Sequence, residues 1–201
     1  MHNIIIISGP SGCGKSTMIH KLLAKYPELN FSVSHTTRPP RSVEIHGLDY
    51  YFVSQAVFVK MKKKSEFAEW AEVHGHYYGT SRREILKKST KNRTLVLDLD
   101  VQGARNIKRQ FPEAMTIFVI PPSLHELKKR LRNREKNWNQ DIALRLQTAL
   151  DELNEHELYE YVIVNRDLGQ AFSELCCLYV AFCLQMNRHE DKIKKLIRGQ
   201  K

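Results

Sequence analysis

The chain has 201 residues, of which 42% are hydrophobic and 27% are charged, a balance that excludes a disordered chain and is typical of one soluble globular domain. No apolar stretch approaches the ~20 residues that a membrane helix needs, and the start lacks the basic leader of a signal peptide, so we expect a cytoplasmic protein with no membrane partner. The formal net charge of +10 indicates anionic partners but does not separate nucleic acid from small phosphates.

Apolar runs alternate with amphipathic segments along the chain. The predicted buried strands are IIIIS (4–8), TLVLDLD (94–100), TIFVI (116–120) and YVIVN (161–165), and helical patterns occupy residues 15–25, 102–110, 124–134, 140–156 and 168–187. Continuous apolar strands separated by helices are typical of a parallel sheet covered by helices on both faces. We therefore expect an α/β fold, ending in a charged segment, HEDKIKKLIRGQK, that forms a solvated helix end or a tail.

The run GPSGCGKST (9–17) follows the first predicted strand and opens the first predicted helix. It matches G-x-x-x-x-G-K-[ST], a pattern whose glycines let backbone amides turn toward phosphate oxygens while the helix N-terminus adds its dipole. A plain glycine turn, the alternative, needs neither the lysine nor the hydroxyl. We therefore predict that Lys15 reaches the terminal phosphates of a nucleoside triphosphate and that Ser16 contacts Mg²⁺. The whole predicted triphosphate site is Gly9, Pro10, Ser11, Gly12, Cys13, Gly14, Lys15, Ser16 and Thr17.

Residues from about 31 to 83 show short strand patterns interrupted by polar residues, and one short helical pattern after Ser54. We expect a partly antiparallel subdomain inserted into the core. Within it, SHTTRPPR (34–41) places two prolines between Arg38 and Arg41. Guanidinium groups bind phosphate bidentately, and a proline-stiffened backbone lowers the cost of ordering them, so we predict a phosphate clamp. Solvated arginines on a surface loop are the alternative that these residues leave open.

A glutamate in the insert gives a reason to expect guanine. The alternation in FAEWAEV (67–73) puts Glu69 on the apolar face of a strand. Guanine N1–H and N2–H₂ are adjacent donors that match the two oxygens of a carboxylate, and guanine O6 matches a hydroxyl such as that of Ser34 or Thr80. Adenine presents a bare N1 acceptor instead, which the carboxylate repels. The alternative is a solvated surface glutamate.

Two carboxylates, Asp98 and Asp100, close the predicted strand TLVLDLD. Acidic residues at the carboxyl end of a parallel strand face the ligand crevice, so one of them can attend a hydrated Mg²⁺. A helix N-cap plus a surface carboxylate is the alternative. A phosphate loop with these carboxylates does not by itself separate an ATPase, a GTPase and a kinase.

Taken together, these runs are similar to the guanylate kinase family. The matching runs are SGPSGCGKST, FSVSHTTRPPR, GLDYYFV, EFAEWAEVHGHYYGTS, VLDLDVQGARNIK and FVIPPS, and the resemblance extends from about residue 4 to residue 185. It implies a P-loop kinase fold with a central parallel sheet flanked by helices, an inserted mixed α+β GMP-binding subdomain and a helical lid. It also implies Mg²⁺-dependent transfer of the ATP γ-phosphoryl group to GMP, and to dGMP, in purine nucleotide metabolism.

The resemblance divides the single domain, residues 1–201, into a core (1–32, 84–123 and 151–201), a GMP-binding region (33–83) and a lid (124–150). Carried over residue by residue, it places GMP among Ser34, Arg38, Arg41, Tyr50, Glu69, Tyr78, Thr80, Asp98 and Asp100. The cations that act in catalysis would be Lys15, Arg38, Arg134 and Arg145. The phosphate loop would hold ATP, and Mg²⁺ would be attended by Ser16 and, through water, by Asp98.

Several positions depart from the family pattern. Val43 stands where the family usually has glycine in the turn after Arg41, and Glu135 stands where glycine usually follows the lid arginine. The run EKNWNQD (135–141) lacks the usual acidic-rich lid pattern. Its Trp138 either packs permanently against the core or docks near the nucleotides when the lid closes.

Cys13 also admits two interpretations. Because a helix N-terminus lowers the pKa of a thiol, a cysteine in the phosphate loop can be reactive. The alternative is a small residue that the loop tolerates.

Three other functions compete with a guanylate kinase. A non-catalytic guanylate-kinase-like binding module can lose the P-loop lysine or the clamp arginines, both of which this chain retains. A kinase of a phosphorylated sugar needs no guanine reader, so Glu69 with Ser34 and Thr80 counts against it. Nucleic-acid binding rests on charge alone, and we expect none. The sequence is compatible with a monomer and with a homo-oligomer.

Overall fold

The computed structural model describes residues 2–73, 75–90, 93–134 and 141–199, without the side chains of residues 133, 134, 141 and 142. Its strands are β1 (Asn3–Ser8), β2 (Asn30–Phe31), β3 (Ser34–Thr36), β4 (Tyr50–Phe52), β5 (Phe67–Val73), β6 (His76–Ser81), β7 (Thr94–Asp98), β8 (Met115–Ile120) and β9 (Tyr161–Val164). Its helices are α1 (Lys15–Lys25), α2 (Gln55–Lys63), α3 (Arg82–Lys88), α4 (Val101–Gln110), α5 (Leu124–Arg134), α6 (Asp141–Asn154), α7 (Leu168–Cys183) and α8 (Met186–Arg198).

Five strands form a parallel sheet in the order β2–β7–β1–β8–β9. Every residue of the central strand β1 is buried, as its uninterrupted isoleucine run predicts for a strand covered on both faces. Ile5 and Ile7 belong to a core cluster shared with α1 and α7, whereas Ile4 and Ile6 belong to a second cluster shared with α3 and α4. The predicted parallel sheet between two helical layers is confirmed.

The register of this sheet brings two predicted site segments together. β1 and β7 run parallel, with Ile7 opposite Asp98. The phosphate loop that follows β1 and the acidic end of β7 therefore emerge side by side at the carboxyl edge of the sheet, where open α/β sheets bind ligands.

The insert forms a separate four-stranded sheet in the order β4–β3–β6–β5. β3 pairs with β4 in parallel, whereas the β3–β6 and β5–β6 pairs are antiparallel. Helix α2 begins after Ser54, whose Oγ accepts a hydrogen bond from the backbone N–H of Val57 at 3.3 Å, the N-cap geometry typical of serine. α2 packs on the sheet through Phe58, which stacks on Phe67 with ring centroids 4.5 Å apart. The partly antiparallel insert is confirmed.

Some predicted boundaries were wrong. β7 ends at Asp98 rather than at residue 100, because Asp100 is the N-cap of α4. The helix predicted over 168–187 ends at Cys183, and α8 follows as a separate helix. β2 and α3 were not predicted: β2 has two residues, and α3 buries only Ile85, too few apolar positions to reveal a period.

The C-terminal part of the chain requires a correction. The stretch Leu168–Arg198 is long and apolar enough to cross a membrane by length and composition, contrary to the expectation that no stretch approaches that length. It comprises two helices, of which α7 packs against α1 with Leu175 and Phe182 fully buried. Only 28% of the most apolar window is buried, and no residue of α8 is buried. One such stretch is a weak indication of a membrane helix, because a core helix passes the same test.

Candidate nucleotide site

The phosphate loop, residues 9–14, joins β1 to α1 and fits closely against the neighbouring strands. Gly9 has a φ of 139°, and a Cβ atom there would lie 2.0 Å from the carbonyl oxygen of Val119. Gly14 has a φ of 89°, and a Cβ atom there would lie 2.5 Å from Nδ2 of Asn165. Only glycine fits both this backbone conformation and this close approach.

Lys15, the first residue of α1, folds back over the phosphate loop. Its Nζ donates hydrogen bonds to the carbonyl oxygens of Gly9, at 2.5 Å, and Pro10, at 3.3 Å. The ammonium group therefore lies beside the loop whose amides would hold phosphates. Its contact with the terminal phosphates stays a prediction.

The residues predicted to attend a metal ion lie together. Ser16 Oγ donates to Oδ2 of Asp98 at 3.3 Å, linking the first turn of α1 to the end of β7. Both side chains offer the hard oxygen ligands that Mg²⁺ prefers, and two protein oxygens suit an ion that keeps several waters and binds substrate phosphates. These residues therefore fit the ion. Within the described ranges, no cluster of three or more acidic, histidine or cysteine side chains provides a fuller metal site.

Glu69 is the most deeply buried carboxylate of the predicted site. It is 6% exposed and lies opposite Thr80 in the β5–β6 pair. Burial raises its pKa to about 7, although hydrogen bonds from Thr80 favour the ionised form. The interpretation of Glu69 as a solvated surface residue is therefore excluded, and the predicted alternation of β5 is confirmed.

Two hydroxyls and a second carboxylate surround Glu69. Ser34 Oγ and Thr80 Oγ1 lie 3.3 Å apart, and both residues are buried. Asp100 accepts the backbone N–H of Gly103 on Oδ1 at 2.7 Å, and burial raises its pKa. Asp100 is thus a helix N-cap, as one alternative held, but it is half-buried beside Glu69 rather than on the surface.

Arg38 lies among aromatic side chains of the insert. Its guanidinium carbon is 5.6 Å from the ring centroid of Tyr50, and the rings of Tyr50 and Tyr78 are 6.0 Å apart. Burial raises the pKa of Tyr50, so its hydroxyl keeps its proton and remains a donor. Burial of Arg38 opposes its charged form, but hydrogen bonds with Glu44 and Tyr78 outweigh that effect and raise its pKa. The structure therefore brings Arg38, Tyr50 and Tyr78 together.

The second clamp arginine differs from the first. The Arg41 side chain is 54% exposed. This exposure is compatible both with a phosphate-binding residue in the absence of its ligand and with a solvated surface residue. The departure at Val43 has no structural cost. Val43 is 84% exposed, and Ser65 is the only non-glycine residue in the described ranges with a positive φ. The backbone N–H of Glu44 donates to the carbonyl oxygen of Arg41 at 3.0 Å, so the turn closes without glycine.

The lid residues are only partly placed. Arg145 is half-buried on α6, and Arg134 ends α5 with its side chain outside the described atoms. Glu135 and Trp138 lie outside the described residues. The assignments of all four residues stay predictions.

Cys13 is fully buried in the core cluster that includes Met18 and Leu127. The side chain thus points away from the position where phosphates would lie. This contradicts the hypothesis of an accessible, reactive thiol and favours a small residue that the loop tolerates.

Two residues that support the phosphate loop were not predicted. Asn165 follows β9, is 4% exposed, and donates from Nδ2 to the carbonyl oxygen of Cys13 at 2.7 Å. The backbone carbonyl oxygen of Asn165 accepts a hydrogen bond from Nη2 of Arg130, in α5, at 3.0 Å. The polar end of an apolar strand was a signal for Asn165, whereas nothing in the local sequence distinguishes Arg130 from its basic neighbours.

Comparisons with known proteins agree with this geometry. The family model described as "Guanylate kinase" matches residues 1–179. The guanylate kinase of Geobacter metallireducens is 44% identical over 178 residues, which are 89% of this chain and 88% of the relative. That of Caldanaerobacter subterraneus subsp. tengcongensis is 38% identical over 193 residues, 96% of this chain and 94% of the relative. The crystal structure of guanylate kinase from Anaplasma phagocytophilum superposes with a TM-score of 0.76 at 33% identity, covering 93% of this chain and 89% of that one.

Proposed function

This chain belongs to the guanylate kinase family, and from that premise we propose that its cleft transfers the γ-phosphoryl group of ATP to GMP and releases ADP and GDP. The observation that carries the proposal is the buried carboxylate of Glu69 beside the hydroxyls of Ser34 and Thr80. A phosphate loop is common to many kinases, whereas this trio has the donor and acceptor pattern that guanine requires.

The site selects the acceptor base because a base other than guanine would leave the carboxylate of Glu69 without hydrogen-bond donors. The ionised carboxylate of Glu69 accepts from N1–H and N2–H₂ of guanine, and the hydroxyl of Thr80 or Ser34 donates to O6. Adenine would place a lone pair against the carboxylate and leave a buried charge unsatisfied, which costs more than a missing contact. The site therefore discriminates by repulsion as well as by attraction.

The acceptor phosphate is held on the other side of the insert. The guanidinium groups of Arg38 and Arg41 bind its oxygens, and the hydroxyls of Tyr50 and Tyr78 donate to it. The grouping of Arg38 with the two tyrosines supports this assignment. dGMP differs from GMP only at the 2′ position of the sugar, away from both groups, and is therefore accepted as well.

The donor nucleotide lies on the phosphate loop, where backbone amides and Lys15 face the phosphates of ATP. Ser16 and Asp98 would hold Mg²⁺, with Asp98 acting through water. When bound, the ion neutralises charge on the β- and γ-phosphates. Its assignment is supported by the contact between the two side chains.

The attacking group is already an ionised phosphate, so the reaction needs no strong general base. Catalysis then consists of alignment and of positive charge around the transferring group, supplied by Lys15, Arg38 and the lid residues Arg134 and Arg145. Closure of the insert and the lid over both nucleotides excludes water, which would otherwise receive the phosphoryl group. The formal net charge of +10 suits two polyanionic substrates.

We further infer that the enzyme acts in the cytoplasm, where both substrates are available, and that it needs neither nucleic acid nor a membrane. A non-catalytic binding module is disfavoured because the chain retains Lys15, Arg38 and Arg41. A sugar-phosphate kinase is disfavoured because a sugar gives Glu69 no pair of adjacent donors.

A coupled assay of ADP release tests the proposal directly. Purified protein is given ATP and Mg²⁺ with GMP, AMP, CMP or UMP, and a reaction without acceptor measures hydrolysis. Among the four acceptors, we expect only GMP to give rapid ADP release, and we expect little ADP release without an acceptor. Equal rates with AMP, or ADP release independent of the acceptor, would contradict the assignment.

A further inference from the structure

Glu44, for which no role was predicted, makes the most extensive polar contacts in the clamp. Both of its carboxylate oxygens accept hydrogen bonds from Nη2 of Arg38, at 2.8 and 2.9 Å. Both side chains are largely buried, with 14% of Arg38 and 12% of Glu44 exposed. The pair is therefore shielded from the solvent screening that weakens surface ion pairs.

The same carboxylate also holds the backbone that carries Arg41. Glu44 Oε2 accepts the backbone N–H of Arg41 at 2.8 Å, and the backbone N–H of Glu44 donates to the carbonyl oxygen of Arg41 at 3.0 Å. Hydrogen bonds in both directions close the turn from residue 41 to residue 44. The guanidinium group of Arg41 stays mostly exposed, with Nη1 3.6 Å from Oε1 of Glu44.

These contacts fix the orientation of Arg38. Its Nη2 is held by Glu44, and its Nη1 donates to the carbonyl oxygen of Pro39 at 2.7 Å. One face lies toward Tyr50 and Phe52. An arginine side chain loses rotamer entropy when it is ordered, and in this protein Arg38 is already ordered before any ligand binds. The prolines between Arg38 and Arg41 stiffen the same segment.

We propose that Glu44 is a positioning residue for the acceptor phosphate, an inference that rests on the proposed function. It orients the Arg38 guanidinium and sets the backbone at Arg41, so that both arginines meet the GMP phosphate without rearrangement. Its negative charge lowers the local charge of the clamp from +2 to +1, which weakens attraction for phosphate. The proposal therefore requires that the gain from fixed geometry exceed this electrostatic loss.

Because fixed geometry and negative charge change GMP affinity in opposite directions, the direction of the change in a Glu44 variant shows which effect dominates. If Glu44 acts as a positioning residue, Glu44→Gln weakens GMP binding, because glutamine has one acceptor oxygen and its NH₂ group would face a donor of Arg38. If Glu44 instead competes with phosphate for Arg38, the same change strengthens GMP binding. Asp49→Asn is the matched control, since Asp49 Oδ2 caps the backbone N–H of Ile45 in the adjacent turn at 2.8 Å and binds neither arginine.

The experiment measures the dissociation constants of GMP and of guanosine by equilibrium titration, with kcat and KM for GMP. Guanosine has the base but no phosphate, so it reports on the Glu69 side of the site alone. We expect Glu44→Gln to weaken GMP binding about 10-fold or more while guanosine binding stays unchanged, and Asp49→Asn to alter neither. Glu44→Asp, which keeps the charge but shortens the reach, should lose less than Glu44→Gln.

Unchanged or tighter GMP binding in Glu44→Gln would overturn the proposal. An equal loss of GMP and guanosine binding would also overturn it, because that result indicates general unfolding of the insert. A double variant with Arg38→Ala adds a further check: if Glu44 acts through Arg38, most of the effect of Glu44→Gln disappears in that background. Failure of the wild-type protein to bind GMP would instead refute the proposed function.

Discussion

Gly103 in α4 lies directly against Glu69 in β5: a Cβ atom at position 103 would lie 2.9 Å from Oε2 of Glu69 and 3.0 Å from Oδ1 of Asp100. Glycine in a helix costs up to about 1 kcal/mol relative to alanine. Here it provides the space in which the buried carboxylate of Glu69 and the half-buried carboxylate of Asp100 lie beside the first turn of α4.

We therefore expect Gly103→Ala to lower kcat/KM for GMP by about 10-fold, because Glu69 must move away from the base by several tenths of an ångström. The intrinsic helix preference of alanine acts in the opposite direction, on stability alone. Steady-state kinetics with GMP as the varied substrate measures the effect. Gly199→Ala is a suitable control, since an added Cβ there would meet only ordinary contacts, the nearest at 3.4 Å. Wild-type kinetics in Gly103→Ala would show that Glu69 does not contact the base.

Glu69→Gln should change function and stability in opposite directions. One acceptor becomes a donor and faces a guanine donor, so we expect a loss of about 2–4 kcal/mol in transition-state binding of GMP, the range for a mispaired charged hydrogen bond. Comparison of kcat/KM for GMP between the variant and the wild type measures this loss. An unchanged value would remove Glu69 from the site.

The stability effect of the same variant follows from linkage. The folded-state pKa of Glu69 is raised to about 7, above the ordinary value near 4.3. Its ionisation therefore destabilises the fold, increasingly as pH rises from about 4 to 7, and fully above that. We expect Glu69→Gln to raise the free energy of unfolding at pH 8 by about 3–4 kcal/mol, and by almost nothing at pH 4.

The raised pKa of Glu69 also predicts how GMP use depends on pH. Guanine needs the ionised carboxylate, so kcat/KM for GMP should rise with pH and level off above about 7. GMP itself titrates with a second pKa near 6, so the wild-type profile contains both steps. In Glu69→Gln the step near 7 should vanish and the lower one should remain.

A second carboxylate provides the control for this pH profile. Burial raises the pKa of Glu152, on α6, to about 7, against the influence of Lys15. If Glu69 is responsible for the step near 7, Glu152→Gln keeps that step. If the step near 7 is lost in Glu152→Gln and persists in Glu69→Gln, the titration belongs to Glu152 on α6 instead.

Local sequence patterns predicted the parts of the fold that are set by local burial. The isoleucine run of β1 and the alternation of β5 appear in the structure as expected, since period and burial are properties of a few neighbouring residues. β2 and α3 were missed because neither has a local burial pattern. The two-residue strand β2 is defined only by its pairing with β7, and α3 buries a single residue.

Contacts between distant segments explain the residues of the site that were missed. Asn165 and Cys13 are 152 positions apart in sequence, and Gly103 matters only because α4 packs on β5. Glu44 is local to the clamp, but a carboxylate three residues after an arginine is also compatible with a solvated turn. Its role follows from burial, which the sequence around it does not encode.

The two clamp arginines should respond differently to a change that keeps their charge. Lysine cannot hold both oxygens of Glu44 and the carbonyl oxygen of Pro39 in the planar arrangement of Arg38, so Arg38→Lys loses orientation as well as contacts. We expect it to reduce kcat and GMP affinity, each by about 10- to 100-fold, the range for one or two charge-assisted hydrogen bonds.

Arg41→Lys should raise KM for GMP by about 10-fold and leave kcat close to wild type, because the Arg41 side chain is exposed and its backbone, not its guanidinium group, is held by Glu44. Initial-rate measurements at saturating ATP separate the two parameters. Small and equal effects in both variants would mean that the loop is a solvated surface and that the acceptor phosphate binds elsewhere.

Cys13 should be unreactive despite its place in the phosphate loop. The side chain is fully buried in the core, whereas Cys177 on α7 is exposed. With a limiting amount of iodoacetamide under native conditions, we expect mass spectrometry to find the label on Cys177, and ADP release with GMP to stay at the unlabelled rate. Cys177→Ser is the control, since it should leave the protein largely unlabelled and fully active. Labelling of Cys13 with loss of activity, prevented by ATP, would show that the loop opens far enough to expose its core side and would restore the reactive-thiol hypothesis.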